Sequence, residues 1–191
     1  MATKPRFTSA DLDAFPDDGK RHEIIGGELY VSEQPDFFHQ RVCLNVALTF
    51  EQSGNGQASI APGLIFADDD DVTPDVVWMR SKQLSTTLGP DGKLHAAPEL
   101  IVEVLSPGAA NEKRDREAKL ELYSRRGVDE YWIVDWRQRR IEVFRQEDAR
   151  LILAATFSES DTLTTPLLPT FRCSVRDLFL GIPADIAPTR D

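Results

Sequence analysis

Between its two prolines, the stretch Pro98-Glu99-Leu100-Ile101-Val102-Glu103-Val104-Leu105-Ser106-Pro107 reads as a buried strand that carries one acid, Glu103, in its apolar interior. A carboxylate in that position is costly unless it is paired, protonated or bound to a cation. A helix is predicted just downstream, over residues 112–126, closed by Gly127 at a position that favours a left-handed backbone. On a helical wheel at about 100° per residue, Lys119 falls near 340° from Glu112, at the centre of an apolar arc formed by Ala118, Leu120, Leu122 and Tyr123. Asp115, Arg116 and Arg126 thread the same arc, whereas Lys113, Arg114, Glu117, Glu121, Ser124 and Arg125 form a polar face. Lysine is among the residues least often buried, so Lys119 calls for a partner carboxylate.

Strand alternation supplies that partner. Glu103 shares a face with Ile101 and Leu105, while Leu100, Val102 and Val104 share the other. A helix that covers the Glu103 face brings Lys119 within reach of it. A second acid, Asp75, immediately precedes the apolar run Val76-Val77-Trp78-Met79 and is expected at a sheet end. Two carboxylates on neighbouring strands can hold a hard divalent cation, and a nearby lysine can stabilise phosphoryl oxygens or a nucleophile. That is the logic of phosphodiester hydrolysis. The plainer alternatives are a structural ion pair of Glu103 with Lys119 or Arg116, and Asp75 as a turn residue after Pro74.

The rest of the chain frames this set. Its 191 residues suffice for one domain with a full core, and 41% hydrophobic with 28% charged residues is an ordinary globular composition. No run reaches the roughly 20 apolar residues of a membrane span, and no secretory h-region follows Met1. Cys43 and Cys173 are too few for a disulfide framework and lack metal-site spacing, so both are read as core thiols of a cytoplasmic protein. The net charge of −10 argues against a general nucleic-acid binder. Residues 111–150 nevertheless hold 11 of the 22 Lys/Arg, and a basic surface is conceivable around Lys113, Arg114, Arg116, Arg125, Arg126, Arg137, Arg139 and Arg140. The run Asp68-Asp69-Asp70-Asp71 is read as a solvated loop that would repel a phosphate backbone near Asp75.

The predicted order of elements is a polar arm over residues 1–20 with a short helix within Ser9–Phe15, an α/β domain over 21–182, and a Pro-rich tail over 183–191. Within the domain, a hairpin spans His22–Val31 about Gly26-Gly27, and a helix runs from about Phe38 to Ser53 with Val42, Val46 and Phe50 on one side. Strands follow at Ala58–Phe66, Asp75–Met79 and Leu100–Leu105. After the helix over 112–126 come a central strand at Tyr131–Asp135, a hairpin of Ile141–Arg145 with Leu151–Phe157, and a short helix at Ser174–Leu180. Strands, then strand–helix–strand, then strands make a mixed β-sheet flanked by helices.

Asp75, Glu103 and Lys119 resemble, together with Pro98–Pro107, Lys119-Leu120-Glu121-Leu122-Tyr123, Gly127–Asp135, His22–Leu29 and His39, the Uma-two family of putative restriction endonucleases within the PD-(D/E)XK superfamily. The resemblance covers roughly residues 20–180. It implies a restriction-endonuclease-like α/β fold and a Mg²⁺-dependent endonuclease (Mn²⁺ a substitute) acting on DNA. Asp75, Glu103 and the main-chain carbonyl of Val104 would be metal ligands, and Asp75, Glu103 and Lys119 the catalytic set. The superfamily lysine would stand two residues after the acid, where this chain has Leu105; Lys119 on the helix is the matching position. Glu23 would be an outer acid near the site, accessory together with His39 and Tyr123. Tyr123 is otherwise expected to pack as core beside Lys119, and His39 to be a helix-start or partly buried histidine. A hydrolase that cuts both strands would naturally act as a C2 homodimer. The alternatives are a catalytically degenerate module that binds protein or nucleic acid, and a metal-dependent hydrolase of small phosphoesters.

Overall fold

The computed structural model describes residues 6–54 and 56–183. Predictions for the first five residues and for the tail beyond Pro183 lie outside the described residues. A six-stranded mixed sheet in the order β10-β9-β8-β7-β6-β3 forms the centre. It comprises β3 (Gln57–Ile60), β6 (Val76–Met79), β7 (Leu100–Val104), β8 (Glu130–Asp135), β9 (Arg140–Glu147) and β10 (Arg150–Ser158). β7 and β8 pair in parallel, with Glu103 opposite Ile133, and the remaining pairs are antiparallel. The run predicted as a buried strand and the Tyr131–Asp135 strand therefore lie side by side, buried at every position.

The parallel pair requires a crossover. It is made by α4 (Ala109–Lys113), a six-residue π-helical stretch (Arg114–Lys119) and α5 (Leu120–Arg126). Gly127 ends it with φ +76°, and its neighbour Val128 donates back to the Tyr123 carbonyl. The predicted uniform helix over 112–126 is thus corrected in two respects: it starts earlier, and its middle is widened. An α-helical period places Asp115, Lys119, Leu122 and Tyr123 on one stripe; the i→i+5 bonding of the π stretch turns Arg114 inward as well, although the wheel put it on the polar face.

This crossover covers the sheet face that carries Glu103, where Ile101, Leu105, Tyr131 and Ile133 pack with Leu122 and Tyr123. The opposite face packs Val102, Val104, Trp132 and Val134 against Val42, Val46 and Phe50 of α2 (Phe37–Ser53) and against the C-terminal elements. Those elements are the hairpin β11 (Thr162–Thr165) with β12 (Leu168–Ser174) and a 3₁₀ turn, Val175–Phe179, in place of the predicted helix over Ser174–Leu180. A further short helix, α3 (Ser81–Thr87), follows β6.

A second sheet, in the order β2-β1-β5-β4, closes over the crossover side. β1 (Arg21–Ile25) and β2 (Glu28–Ser32) pair with Ile25 opposite Glu28, so Gly26 and Gly27 form a two-residue turn at φ +58° and +77°. The predicted single strand Ala58–Phe66 divides into β3 and β4 (Leu64–Ala67), which belong to different sheets. The break falls at Ala61, held at φ +50°, and Pro62, which has no N–H to donate. The predicted short helix near the start is α1 (Ser9–Leu12), and the segment before it is tied down by Phe7 N–H on the Gly27 carbonyl and Ser9 N–H on that of Asp68.

The acidic run is a solvent-facing turn at Asp68 and Asp69 but not beyond. Asp70 and Asp71 lie buried in β5 (Asp70–Val72). Asp70 accepts from Arg125 and Arg126 of α5 and from the Gly26 amide, tying the first hairpin to the crossover helix. Burial opposes its charge, but the amide and the two arginines hold its carboxyl below its ordinary value. Asp70→Ala leaves the Gly26 amide and both guanidiniums without this partner; a loss of about 2 kcal/mol in unfolding free energy is expected, measured by urea denaturation.

Candidate active site

Glu103 sits on β7 with its side chain 1% exposed, and Lys119 on the crossover helix is fully buried. Lys119 Nζ lies 2.9 Å from Glu103 Oε1 and 2.9 Å from Glu23 Oε1. The Tyr123 hydroxyl donates to the same Glu103 oxygen at 2.8 Å. Tyr123 is therefore core, as expected, but its polar end belongs to the cluster. Glu23, expected as an outer acid, is in direct contact with Lys119, and it also accepts from the Thr73 amide. Its second oxygen is buried with no hydrogen-bond donor among the described residues, 3.9 Å from Arg114 Nε. Arg114 in turn holds Asp115 at 2.9 Å.

Asp75 stands at the start of β6. The pairing of Val76 with Val102 extends to place it across from Glu103 on the adjacent strand. Its Oδ2 is 3.0 Å from His39 Nε2 and accepts from the Val104 amide at 2.9 Å, and its Oδ1 takes Arg21 at 2.9 Å. His39 is both a residue of the first turn of α2 and a buried, satisfied histidine. Asp36, the residue that caps α2, accepts from the His39 amide and so fixes where the ring begins.

The charges of the cluster follow from burial and from these contacts. Burial works against ionisation of Asp75, yet the His39 hydrogen bond and the charges of Arg21 and Lys119 hold its carboxyl well below the usual range. Glu23 is also lowered, burial being outweighed by Lys119 and Arg114. Glu103 goes the other way: burial, with the nearby charges of Asp75, Asp115 and Glu23, pushes it up to about 8 despite Lys119. Burial would strip the proton from Lys119, but Glu103, Glu23 and Asp115 raise its pKa, so it is an ammonium. Burial and Glu103 keep the Tyr123 phenol protonated.

With Glu103 holding its proton, three carboxylates (Glu23, Asp75, Asp115) balance three cations (Arg21, Arg114, Lys119) among the described residues; once Glu103 ionises, as a metal ligand must, the cluster is one positive charge short. An all-oxygen anionic donor set, an orphaned buried carboxylate oxygen and an elevated Glu103 together suit a hard divalent cation. His39, Cys43 and Asp75 also stand within 4.8 Å of one another. Cys43 Sγ meets His39 at Nδ1, however, while Asp75 takes Nε2, so these three do not converge on one point. Burial also pushes the Cys43 thiol up and keeps it protonated. His39 orients Asp75.

Several expectations are settled by partners elsewhere. Arg116 pairs with Glu142, not with Glu103. At the end of β8, a place where α/β proteins often bind ligands, Asp135 instead accepts from the amides of Arg137 and Gln138 and shapes the β8–β9 turn. The suggested basic surface does not form as a free positive face: Lys113, Arg114, Arg116, Arg125, Arg126, Arg137, Arg139 and Arg140 each have an acidic partner. Arg21, Arg114 and Asp115 were not expected in the cluster. Only Asp115 had a signal, four residues before Lys119 on the same arc of the wheel.

The mixed sheet with flanking helices is a restriction-endonuclease-like α/β fold. The chain belongs to the Uma2 family, described as "Putative restriction endonuclease", which matches residues 9–176. Among solved structures its fold is similar to the crystal structure of "a putative nuclease belonging to DUF820" from Anabaena variabilis ATCC 29413. That likeness has a TM-score of 0.72 at 17% identity and covers 91% of this chain and 97% of the other, so it concerns the fold alone. No curated protein matches the sequence. No helix among the described residues is long and apolar enough to cross a membrane.

The raised Glu103 carboxyl sets a direction for stability against pH. In metal-free protein the folded state holds this proton up to about pH 8, whereas the unfolded chain releases it near the ordinary value of 4.5. Folded protein therefore binds more protons through that window, and stability falls as pH rises across it. Melting temperatures in chelator should decline from pH 5 to pH 8, and Glu103→Gln should flatten the decline.

Proposed function

We propose that this chain is a Mg²⁺-dependent endonuclease that hydrolyses DNA phosphodiester bonds, with Mn²⁺ able to substitute. Asp75 and Glu103, with the main-chain carbonyl of Val104, would hold the metal. The observation that carries the reading is the helix-borne Lys119 on Glu103, one strand away from an Asp75 that is itself bonded to the Val104 amide. Leu105, where the superfamily pattern would put the lysine, is buried in the core, so the cation comes from the crossover instead.

When bound, the metal supplies Lewis acidity toward the phosphoryl oxygens and toward a water. The chain's own residues do the rest. Lys119, an ammonium held by Glu23 and Glu103, serves as donor and positive charge toward the nucleophile or the phosphoryl oxygens rather than as a base. His39 and the Val104 amide fix Asp75, and Tyr123 fixes Glu103. Cutting both strands of a duplex would take two copies about a two-fold axis.

A second reading, a catalytically silent nuclease-fold module that binds protein or nucleic acid, is favoured by one observation: the arginines that could have made a DNA-facing surface are neutralised by acids in a chain of net charge −10. Incubation with supercoiled plasmid separates the two. Metal-dependent nicking is expected, and Asp75→Asn, Glu103→Gln and Lys119→Met should each slow it by about 100-fold or more. Absence of nicking in both Mg²⁺ and Mn²⁺, with no heat of metal binding, would select the module. Turnover of small phosphoesters alone would instead mark a different hydrolase.

A further inference from the structure

The three cations of the cluster differ in how well they are sealed. The side chain of Lys119 is 0% exposed and that of Arg114 9%, but Arg21 keeps 17%. Arg21 is the first residue of β1, at the strand's end, and among the described residues it donates to Asp75 Oδ1 at 2.9 Å and to the Thr73 carbonyl at 3.3 Å. The two oxygens of Asp75 are therefore held differently. Oδ2 is gripped by a buried histidine and by a backbone amide of the central sheet, whereas Oδ1 is held by a long side chain that reaches solvent.

Charge points the same way. With Glu103 ionised, as a metal-bound carboxylate is, and Arg21 withdrawn, the four buried carboxylates exceed Lys119 and Arg114 by two negative charges, which is what a divalent cation neutralises. Arg21 supplies half of that. A guanidinium does not shed its proton at any accessible pH, so it can make way for a metal only by moving. Its fork of donors suits a phosphodiester oxygen pair as well as it suits a carboxylate.

We propose that Arg21 is a placeholder cation: it occupies Asp75 Oδ1 in the metal-free protein, yields that oxygen to the divalent ion, and then turns its guanidinium, the most exposed of the three cations, to the substrate phosphate. This rests on the metal reading given above, and it adds a residue that couples metal loading to the capture of an anionic substrate. Arg21 lowers the apparent metal affinity by competing for one oxygen, and it raises affinity for substrate once displaced.

The test is calorimetric titration of Mn²⁺ into the wild type, Arg21→Gln, Arg21→Lys and Asp75→Asn, followed by plasmid-nicking kinetics at saturating Mn²⁺. Removing a competing charge at contact distance should tighten Mn²⁺ binding roughly tenfold in Arg21→Gln. Arg21→Lys, which keeps the charge, should stay near the wild type, and Asp75→Asn should not bind. In the nicking assay Arg21→Gln should raise KM while kcat changes little. A wild type that binds Mn²⁺ with an Arg21→Gln affinity equal or weaker overturns the placeholder and leaves the metal site standing. An unchanged KM overturns the phosphate contact. No binding by any of the four proteins overturns both this inference and the metal reading beneath it.

Discussion

One buried ionic contact organises this molecule: the Lys119 ammonium held between the Glu23 carboxylate and the Glu103 carboxyl, sealed from solvent. Two sheets and the crossover helix each contribute one of its members, so its geometry exists only when all three are docked. Removing one partner of such a buried pair costs about 3–5 kcal/mol, because the other charge is left without compensation. An apolar replacement of the whole set could hold the layers together as well or better. A buried ionic cluster is therefore weak evidence of a stability device, and this supports the proposal that it is kept for its chemistry.

The surrounding fold reads as support for that cluster. β7 and β8 run parallel, and the crossover between them is the element that lays a helix across the Glu103 face. The widened π stretch in this helix admits Arg114 beside Asp115 and Lys119, three charged side chains in one short segment that a regular α-helical stripe would not all turn inward. On the other side, α2 begins with Asp36 and His39, and that first turn positions Asp75. The acids on the crossover side of the sheet and the histidine on the α2 side meet at one end of it. Asp70, gripped by Arg125 and Arg126, anchors the small sheet that delivers Glu23 and Arg21 to the same place.

Much of this was legible in residue order. The hairpin at Gly26-Gly27, α2, the paired apolar strands and the crossover all announce themselves through periodicity and turn residues, because those signals depend on neighbours a few positions apart. Glu103 and Lys119 were legible for a related reason: each is a charge at a position whose periodicity demands burial. Less was legible where distant partners decide. The acidic run at residues 68–71 looks solvated until two arginines some 55 positions away enclose Asp70. The Ala58–Phe66 run looks like one strand until two sheets claim its halves. Arg114 looks like a surface residue until the π stretch turns it.

The sequence by itself determined that a carboxylate on an interior strand and a lysine on an apolar helical face had to find partners, since an unpaired buried charge is too costly to leave. It also determined which family the chain resembles. Only the tertiary structure decided who those partners are: Glu23 in direct contact with Lys119, Arg116 drawn away to Glu142, and Arg21 laid on Asp75. The reason is physical. Periodicity says which way a side chain points, but an ion pair is a distance between elements, and that distance is set by how two sheets and a widened helix pack together.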